Sequence, residues 1–385
     1  MKPLYLTLTA SLLLGACATP PQQAAQPSPP PAAQAPTPTA ASVVAAPAVS
    51  APAAPSAALG LDAAATVANW QAQQLPRIQA LADHSAQLQS AVTELCRRLR
   101  PEQIEQARQA WKATHVAWRS VEALPMGPVL TRRTAWQIDV WPTRPPKVEE
   151  AIRLVEKDAP IADSVGAAAQ GLPALEFLLW GEDRAKAQLG RLHFRQRCQY
   201  SVALANDVAA ESRGLLVDWQ AYQREQHDHE TGRQAFEEGI NLIAGSLQNL
   251  RDKKVARLGG AKAPKKPARQ DFDAWRSHHT KASLAATLGS LESLFLARGQ
   301  DGSPSFVERL ARAEKPLLAQ HLQEELVLSR AALAKLPEDV ATAASRNPAV
   351  LKPLLDSLKR LQGLVELQVA DAVGVTIGFK DSDGD

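Results

Sequence analysis

The sequence lacks the short motifs on which many metal-, nucleotide- and nucleophile-dependent enzymes rely. No His-Glu-x-x-His motif occurs, so no helix offers two zinc-binding histidines beside a catalytic glutamate. No Gly-Lys phosphate-binding loop and no nucleophile elbow occur either. These absences argue against a zinc peptidase of that type, a P-loop nucleotide hydrolase and an α/β-hydrolase.

A surplus of one charge is also absent, since 43 basic residues face 40 acidic ones. No basic stripe alternates with aromatic side chains, so nothing in the sequence suggests nucleic-acid binding. The one basic cluster, KAPKKPAR at residues 262–269, is interrupted by prolines and is interpreted as a solvated loop.

Long apolar runs are missing as well, and the nearest candidate lies at the N-terminus. Lys2 precedes an apolar stretch at residues 4–14, which is too short to span a bilayer and predicts a secretory signal. The stretch ends in LGAC, and small residues directly before Cys17 resemble the lipobox of bacterial lipoproteins. The resemblance implies a signal peptide of residues 1–16 and a lipid on Cys17. An ordinary signal peptide with a chance cysteine is the alternative.

Charged residues are absent from Ala18 to Leu61, which holds eleven of the 28 prolines. The stretch has no periodic apolar face to bury, so residues 17–61 are predicted to be a disordered tether. The residue after Cys17 is Ala18 and not Asp, and by analogy with enterobacterial sorting this favours the outer membrane, on its periplasmic side.

Runs of β-branched residues are rare beyond residue 62, and the abundance of Ala, Leu, Gln, Glu and Arg favours helix. Apolar residues recur at helical spacing, as in the stripe that includes Trp111 and Trp118. The predicted fold class is all-α. The predicted helices cover about 76–99, 101–124, 147–158, 161–170, 172–181, 193–224, 231–257, 271–298, 304–335 and 347–372.

Cysteine is scarce, with three in the chain. If Cys17 carries a lipid, Cys96 and Cys198 remain. Two cysteines in an exported, oxidising compartment predict a disulfide. Two separate buried thiols are the alternative.

Several stretches, taken in order, resemble the imelysin family, also called the insulin-cleaving metallopeptidase family, in its predicted-lipoprotein branch. They are AWKATHVAWRSVEALPMGPV (110–129), RTAWQIDVWPTRPPKVEEAI (133–152), GLPALEFLLWG (171–181), NLRDKKVARLGG (249–260), AWRSHHTKASLAATLGSLESLF (274–295) and AVGVTIGFKDSDGD (372–385). The resemblance implies two four-helix bundles related by duplication, here 62–225 and 226–385, with a possible site in the cleft between them. It also implies export, a frequent link to iron uptake, and a proposed metal motif of Gly-x-His-x-x-Glu.

That motif corresponds to residues 171–176, where Gly171 and Glu176 are present but Pro173 occupies the histidine position. A histidine and a glutamate three residues apart share one helix face and can hold a metal together, and proline removes that pair. Proline is tolerated in a first helical turn, so Pro173 predicts a helix start or a kink. A partly buried Glu176 needs a partner: an arginine, hydrogen bonds across the bundle, or amides at the start of its own helix. Metal ligation with ligands from elsewhere is the alternative.

A second candidate site is the segment RRTAWQIDVWP. Arg132, Arg133, Asp139 and Trp141 are groups that can orient a polar ligand in a cleft. The alternative is that tryptophan packs between the bundles while the charged residues form ion pairs. The histidine pairs at 227/229 and 278/279 are interpreted as solvated or facing apart. His115 is expected at the edge of the core.

Three functions follow from these observations. The first is a non-enzymatic, lipid-anchored periplasmic protein that binds or assists in iron or other metal acquisition, with iron-transport components as possible partners. The second is a metallopeptidase, as the older family name implies, against which Pro173 and the missing zinc motif argue. The third is a metal-independent scaffold for a ligand or protein partner. No cofactor is certain, and iron or another divalent metal is possible.

Overall fold

The computed structural model describes residues 61–155, 165–181, 185–224, 229–255 and 268–378, and this part of the chain contains helices and no strand. The predicted all-α class is therefore confirmed. None of the helices described combines the length and apolar character needed to cross a bilayer. The signal peptide, the lipidation site Cys17 and the tether up to residue 60 lie outside the described residues.

The first half of the chain is built around one long helix that contacts two others. Helix α1 packs against α2 and α8, and α6 closes the group by contacting α2 and α8. The Asp62 side chain caps the start of α1, and Pro101 begins α2. The described helices of this half are α1 (Ala63–Arg97), α2 (Pro101–Val121), α3 (Pro128–Thr131), α4 (Thr134–Ile138), α5 (Pro145–Val155), α6 (Gly171–Trp180), α7 (Ala185–Arg191) and α8 (Arg195–Tyr222).

The second half repeats the pattern of four packed helices. Helix α12 packs against α10 and α14, and α9 packs against α14. A π-helical turn, Asn249–Val255, extends α9, and another, Leu364–Val369, follows α14. The described helices of this half are α9 (His229–Gln248), α10 (Thr280–Leu296), α11 (Phe306–Arg312), α12 (Pro316–Ala334), α13 (Val340–Arg346), α14 (Lys352–Gly363) and α15 (Ala370–Ala372).

The two halves share a buried contact made by α1 and α2 on one side and α9 and α10 on the other. Trp70 of α1 is fully buried there, stacks on Phe236 at a centroid distance of 5.6 Å and donates its indole N–H to the Leu294 carbonyl at 3.0 Å. The Ser290 hydroxyl donates to the Ser120 carbonyl at 2.7 Å. This arrangement is consistent with two four-helix bundles, and the boundary at residues 225/226 stays a prediction.

A disulfide joins Cys96, near the end of α1, to Cys198, near the start of α8. The predicted bridge is confirmed. It cross-links two helices that already pack along their length, and it closes a loop with a sequence separation of 102 residues.

Four predicted helices are wrong in their extent or type. The helix predicted at 76–99 begins at Ala63 and accommodates Pro76 in its interior. The described part of the helix predicted at 161–170 contains a 3₁₀ helix at Ala167–Ala169 and no α-helix.

The helix predicted at 271–298 begins only at Thr280, because residues 272–279 form successive turns in which Ala274 and His278 have positive φ angles of 52° and 54°. The helix predicted at 304–335 is two helices, α11 and α12, separated at Glu314 with φ 62°. Helix α13 was not predicted.

Candidate functional site

The position of α6 is set by the glycine at its start. Gly171 has φ +69°, and a Cβ built there would lie 2.4 Å from the Ile138 carbonyl oxygen at the end of α4. Only glycine allows this conformation and this close approach. Pro173 lies in the first turn of α6, as predicted, where its missing N–H costs no helical hydrogen bond.

Glu176 of α6 is 3 % exposed, and its carboxylate is held by the other half of the chain. Its Oε1 accepts hydrogen bonds from the backbone N–H of Ser277 at 2.8 Å and from the Ser277 hydroxyl at 2.7 Å. The described bonds to this carboxylate do not come from amides of its own helix, since Glu176 is the sixth residue of α6 and lies beyond the free N–H groups of the first turn. Burial raises the pKa of Glu176, while the Ser277 hydrogen bonds oppose that rise.

Ser277 reaches Glu176 because its segment of the chain folds back on itself. We call this segment, residues 272–279, the 272–279 turn. The Thr280 hydroxyl donates to the Asp273 carbonyl at 2.6 Å, and the Ser277 hydroxyl also lies 3.1 Å from the Ala274 carbonyl. These bonds hold the turn in its positive-φ conformation. The turn therefore presents a backbone N–H and a hydroxyl to α6 that a regular helix would have used internally.

Arg119 of α2 is 1 % exposed and carries the densest set of ionic contacts in the described chain. Its guanidinium bonds both oxygens of Asp139, at 2.5 and 2.9 Å, and lies 3.0 Å from Oδ2 of Asp273 and 2.5 Å from Oε2 of Glu122. Burial lowers the pKa of Arg119, but the attraction of Asp139 and Asp273 outweighs it and raises that pKa well above its usual value. We call Arg119, Asp139, Asp273, Glu122, His115 and Lys254 the Arg119 cluster.

Asp273 is the member that connects the two halves. Its Oδ2 accepts from the Ser283 hydroxyl at 2.7 Å and lies 3.5 Å from the Lys254 ammonium, while its Oδ1 lies 3.5 Å from Nε2 of His115. Burial would raise the pKa of Asp273, but the Arg119 and Lys254 charges lower it well below its usual value. The carboxylate is therefore ionised and bridges α2 of the first half to the second half.

One histidine, His115, belongs to the cluster, and a second, His279, borders it. His115 stacks on Trp111 at 4.7 Å, and its Nε2 accepts from the Nε–H of Arg119 at 3.2 Å. The ring of His279, at the start of α10, lies 6.3 Å from that of His115. Burial lowers the pKa of His279 to about 4, so this imidazole is neutral near pH 7.

The residues present do not fit a metal ion held by the family motif. Pro173 supplies no donor atom, and Oε1 of Glu176 already accepts two hydrogen bonds from Ser277. Both oxygens of Asp273 face cations or donors. Within the described ranges no group of three or more His, Cys, Asp or Glu side chains is arranged to hold a metal. We therefore derive no chemistry through a protein-bound metal.

An open cleft of about 1230 Å³ lies beside α6, with one wall from each half. The segment from Trp141 to Glu149 forms the first wall, the segment from Gln270 to Arg276 forms the second, and Phe177 of α6 lies between them. Such a volume accommodates a small-molecule ligand. The cleft is lined by Trp141, Pro142, Thr143, Arg144, Pro145, Pro146, Lys147, Glu149, Phe177, Gln188, Arg191, Gln270, Asp271, Trp275 and Arg276.

Cations and aromatic rings alternate in and behind one side of this cleft, where Phe177, Trp275 and Arg276 belong to its lining and Arg197 and Arg269 do not. The Arg276 guanidinium lies 4.5 Å from the Trp275 ring centroid and 5.4 Å from that of Phe177. The guanidinium of Arg269 lies 5.2 Å from the Trp275 ring, and that of Arg197 lies 5.6 Å from the Phe177 ring. These distances are typical of cation–π contacts. These contacts form a continuous stack from α8 to the 272–279 turn, in the order Arg197, Phe177, Arg276, Trp275 and Arg269.

The four residues predicted as cleft candidates do not meet at one place. Trp141 lines the cleft, with the Lys254 ammonium 5.8 Å from its ring. Asp139 is part of the buried Arg119 cluster and also accepts from the Trp118 indole at 2.9 Å. Arg132 pairs with Glu211 and Asp218 of α8, each at 2.6 Å, and the exposed Arg133 lies over Trp136. Of the four, only Trp141 lines the cleft.

Sequence reasoning missed most of the Arg119 cluster. Arg119 lies next to Trp118 and four residues after His115, which stacks on Trp111 of the apolar stripe. A cation placed on the edge of an aromatic stripe is a signal that could have marked it as buried. Asp273 gave no such signal, because the turn that buries it was interpreted as part of a helix.

Comparison with known proteins places the chain among relatives of the same fold. It is 24 % identical over 314 residues to iron-regulated protein A of Synechococcus elongatus, covering 78 % of this chain and 83 % of that protein. An imelysin-like protein from Psychrobacter arcticum has a similar crystal structure, with TM-score 0.67 and 19 % identity over 82 % of this chain and 98 % of that one. A crystal structure described as an iron-regulated protein A precursor from Parabacteroides distasonis has TM-score 0.66 and 14 % identity over 81 % and 95 % of the two chains.

At these identities the two solved structures support the fold. The assignment to a family rests on the sequence, because the imelysin family model matches residues 74–367, which is most of the chain. The chain therefore belongs to the imelysin family.

Proposed function

We propose that this protein is a non-enzymatic accessory component of iron acquisition, anchored by a lipid on Cys17 to the periplasmic side of the outer membrane. The observation that carries the proposal is the basic and aromatic cleft between the two halves. Cation–π contacts of Arg276 with Phe177 and Trp275 hold one wall of this cleft in place. The link to iron is supported by the name of one relative, iron-regulated protein A, and by the description of a solved structure as a precursor of such a protein.

The link to iron is tested by growth and expression. Bacteria lacking the gene are compared with the parent strain in iron-limited and iron-replete medium, and the protein level is measured by immunoblot in both. We expect a growth defect and a raised protein level under iron limitation alone. Equal growth and an unchanged level in both media would contradict the proposal.

The lipid anchor is tested with Cys17→Ser. The variant is expected to leave the outer-membrane fraction or to retain its signal peptide, whereas Cys96→Ser with Cys198→Ser changes only the disulfide and stays in the membrane fraction. Normal processing together with normal membrane retention of Cys17→Ser would refute the anchor.

A metal-independent scaffold for a protein partner is the second candidate. The observation that favours it is that the carboxylates near the motif are already paired, Glu176 with Ser277 and Asp273 with Arg119. Elemental analysis of protein purified without chelator is expected to show no stoichiometric metal under either candidate. A peptidase assay with and without chelator tests the third possibility, and chelator-sensitive cleavage would favour it over both.

A further inference from the structure

We infer that the cleft binds iron that already carries its own ligands, as a ferric chelate with net negative charge and catecholate rings. The inference rests on the proposed function and names the ligand class of the same cleft. It is argued from the charge of the walls, from their aromatic faces and from the donor atoms they offer.

The walls carry an excess of positive charge. Arg144 and Arg191 line the cleft and are exposed, and within the described ranges neither side chain has a hydrogen-bond or ion-pair partner. Of the two acidic lining residues, Glu149 is paired with Arg197, from which it accepts two bonds at 2.8 Å, while Asp271 accepts a neutral backbone N–H at 2.8 Å and keeps its charge, which Arg144 and Arg191 together outweigh. The charge left for a ligand is therefore positive, and the ligand that fits it is an anion.

The aromatic faces favour rings on that anion. Trp141, Trp275 and Phe177 line the cleft, and a cation lies within 5.8 Å of each ring centroid. Phe177 and Trp275 are 3 % and 6 % exposed and already contact arginines, so a ring that enters this cleft stacks on the half-buried Trp141. A catecholate ring suits this cleft, because its two oxyanions can accept from arginine while its face packs on tryptophan.

The cleft does not offer iron a donor set of its own. Its lining contains no His, Cys, Met or Tyr, and of its two carboxylates Glu149 has both oxygens bonded to Arg197, which leaves Asp271 as a single carboxylate and too few donors for ferric iron. Ferric iron that binds here must therefore bring its oxygen donors with it. The volume of about 1230 Å³ leaves room for such a complex. Binding is non-covalent and requires no change in the oxidation state of iron.

The test is calorimetric titration of the full chain, purified in detergent, with four probes: ferric tris-catecholate, the gallium(III) tris-catecholate, ferric citrate and unchelated ferric salt. We expect the two tris-catecholates to bind equally at one site per chain. We expect the affinity for ferric citrate, which lacks rings, to be lower by a factor of roughly ten or more. Absence of tris-catecholate binding, or equal binding of citrate, would overturn the inference.

Two charge reversals locate the site. Arg144→Glu and Arg191→Glu are each expected to weaken tris-catecholate binding roughly tenfold or more at low salt, and less at high salt. Arg312→Glu is the matched control, because Arg312 is exposed on α11 and does not line the cleft. Circular dichroism checks that all three variants fold, which we expect because the substituted side chains are exposed. Unchanged affinity in both folded cleft variants would overturn the inference.

The two proposals fail separately. If the gene is needed under iron limitation while tris-catecholate does not bind, the ligand class is wrong and the link to iron stands. If tris-catecholate binds at Arg144 and Arg191 while growth and protein level do not depend on the iron supply, the ligand class stands and the role in iron acquisition is wrong.

Discussion

Helices α6 and α10 have similar sequences, GLPALEFLLWG and LGSLESLFLARG, yet their glutamates have different environments. Glu176 of α6 is 3 % exposed and accepts two bonds from Ser277. The Glu292 side chain of α10 is 12 % exposed and pairs at 3.0 Å with Arg330, whose side chain is 67 % exposed. The same Leu-Glu pair is therefore a buried link between the halves in one helix and a surface ion pair in the other.

The glycines in the two segments differ in the same way. A Cβ on Gly171 would collide with Ile138 of α4, whereas a Cβ on Gly289 would meet nothing within 4 Å. Helix α6 is therefore closely fitted to its neighbours at its start. What distinguishes the two helices is the neighbouring segment, since α6 meets the 272–279 turn and the corresponding side of α10 faces α12.

The largest effect is expected from removing the cation of the buried cluster. Arg119→Met leaves Asp139 and Asp273 buried without their main counter-charge, and loss of one partner of a buried pair costs about 3–5 kcal/mol. The free energy of unfolding from denaturant titration measures the loss. A decrease below about 1 kcal/mol would show that water or another cation replaces Arg119.

An intermediate effect is expected at Glu176. Glu176→Ala leaves the buried N–H and hydroxyl of Ser277 without their acceptor, at a cost of about 1–3 kcal/mol. Glu176→Gln keeps an acceptor oxygen and removes the buried charge, so it should cost less. If both variants unfold at the same denaturant concentration as the wild type at pH 7, the hydrogen bonds of Glu176 contribute nothing to stability. The comparison with Glu292 then loses its basis.

The two Glu176 variants also predict a pH dependence. Because burial raises the folded pKa of Glu176 above its unfolded value, the folded state takes up the proton first as pH falls. The stability that protonated Glu176 contributes is present below the unfolded pKa and is lost as pH rises through the folded pKa. Wild type should therefore gain stability relative to Glu176→Gln as pH falls through that window. A difference independent of pH would contradict the direction of the shift.

The smallest effect is expected at the surface pair. Glu292→Gln and Arg330→Met should each change the free energy of unfolding by about 0–1 kcal/mol, because Arg330 is solvated and the pair is screened by salt. Raising the salt concentration should abolish what difference there is. A loss as large as that of Glu176→Ala would mean that the two carboxylates are equivalent after all.

The all-α class, the α2 stripe, the helix start at Pro173 and the disulfide between Cys96 and Cys198 were predictable from the sequence. They depend on local periodicity, on the fixed φ of proline and on the number of cysteines, which the sequence contains directly. The replacement of the motif histidine by Pro173 was also evident from the sequence, because it concerns the identity of one residue.

The partners of Glu176, the burial of Arg119 and the wall of the cleft at Trp275 were decided by tertiary structure alone. All three depend on the 272–279 turn, whose residues have a helix-like composition but adopt positive φ at Ala274 and His278. The turn is held by long-range contacts, such as those of Asp273 with Arg119 and of Ser277 with Glu176. Local propensity carries no information on partners about a hundred residues away, so only the packing of the two halves determines the site.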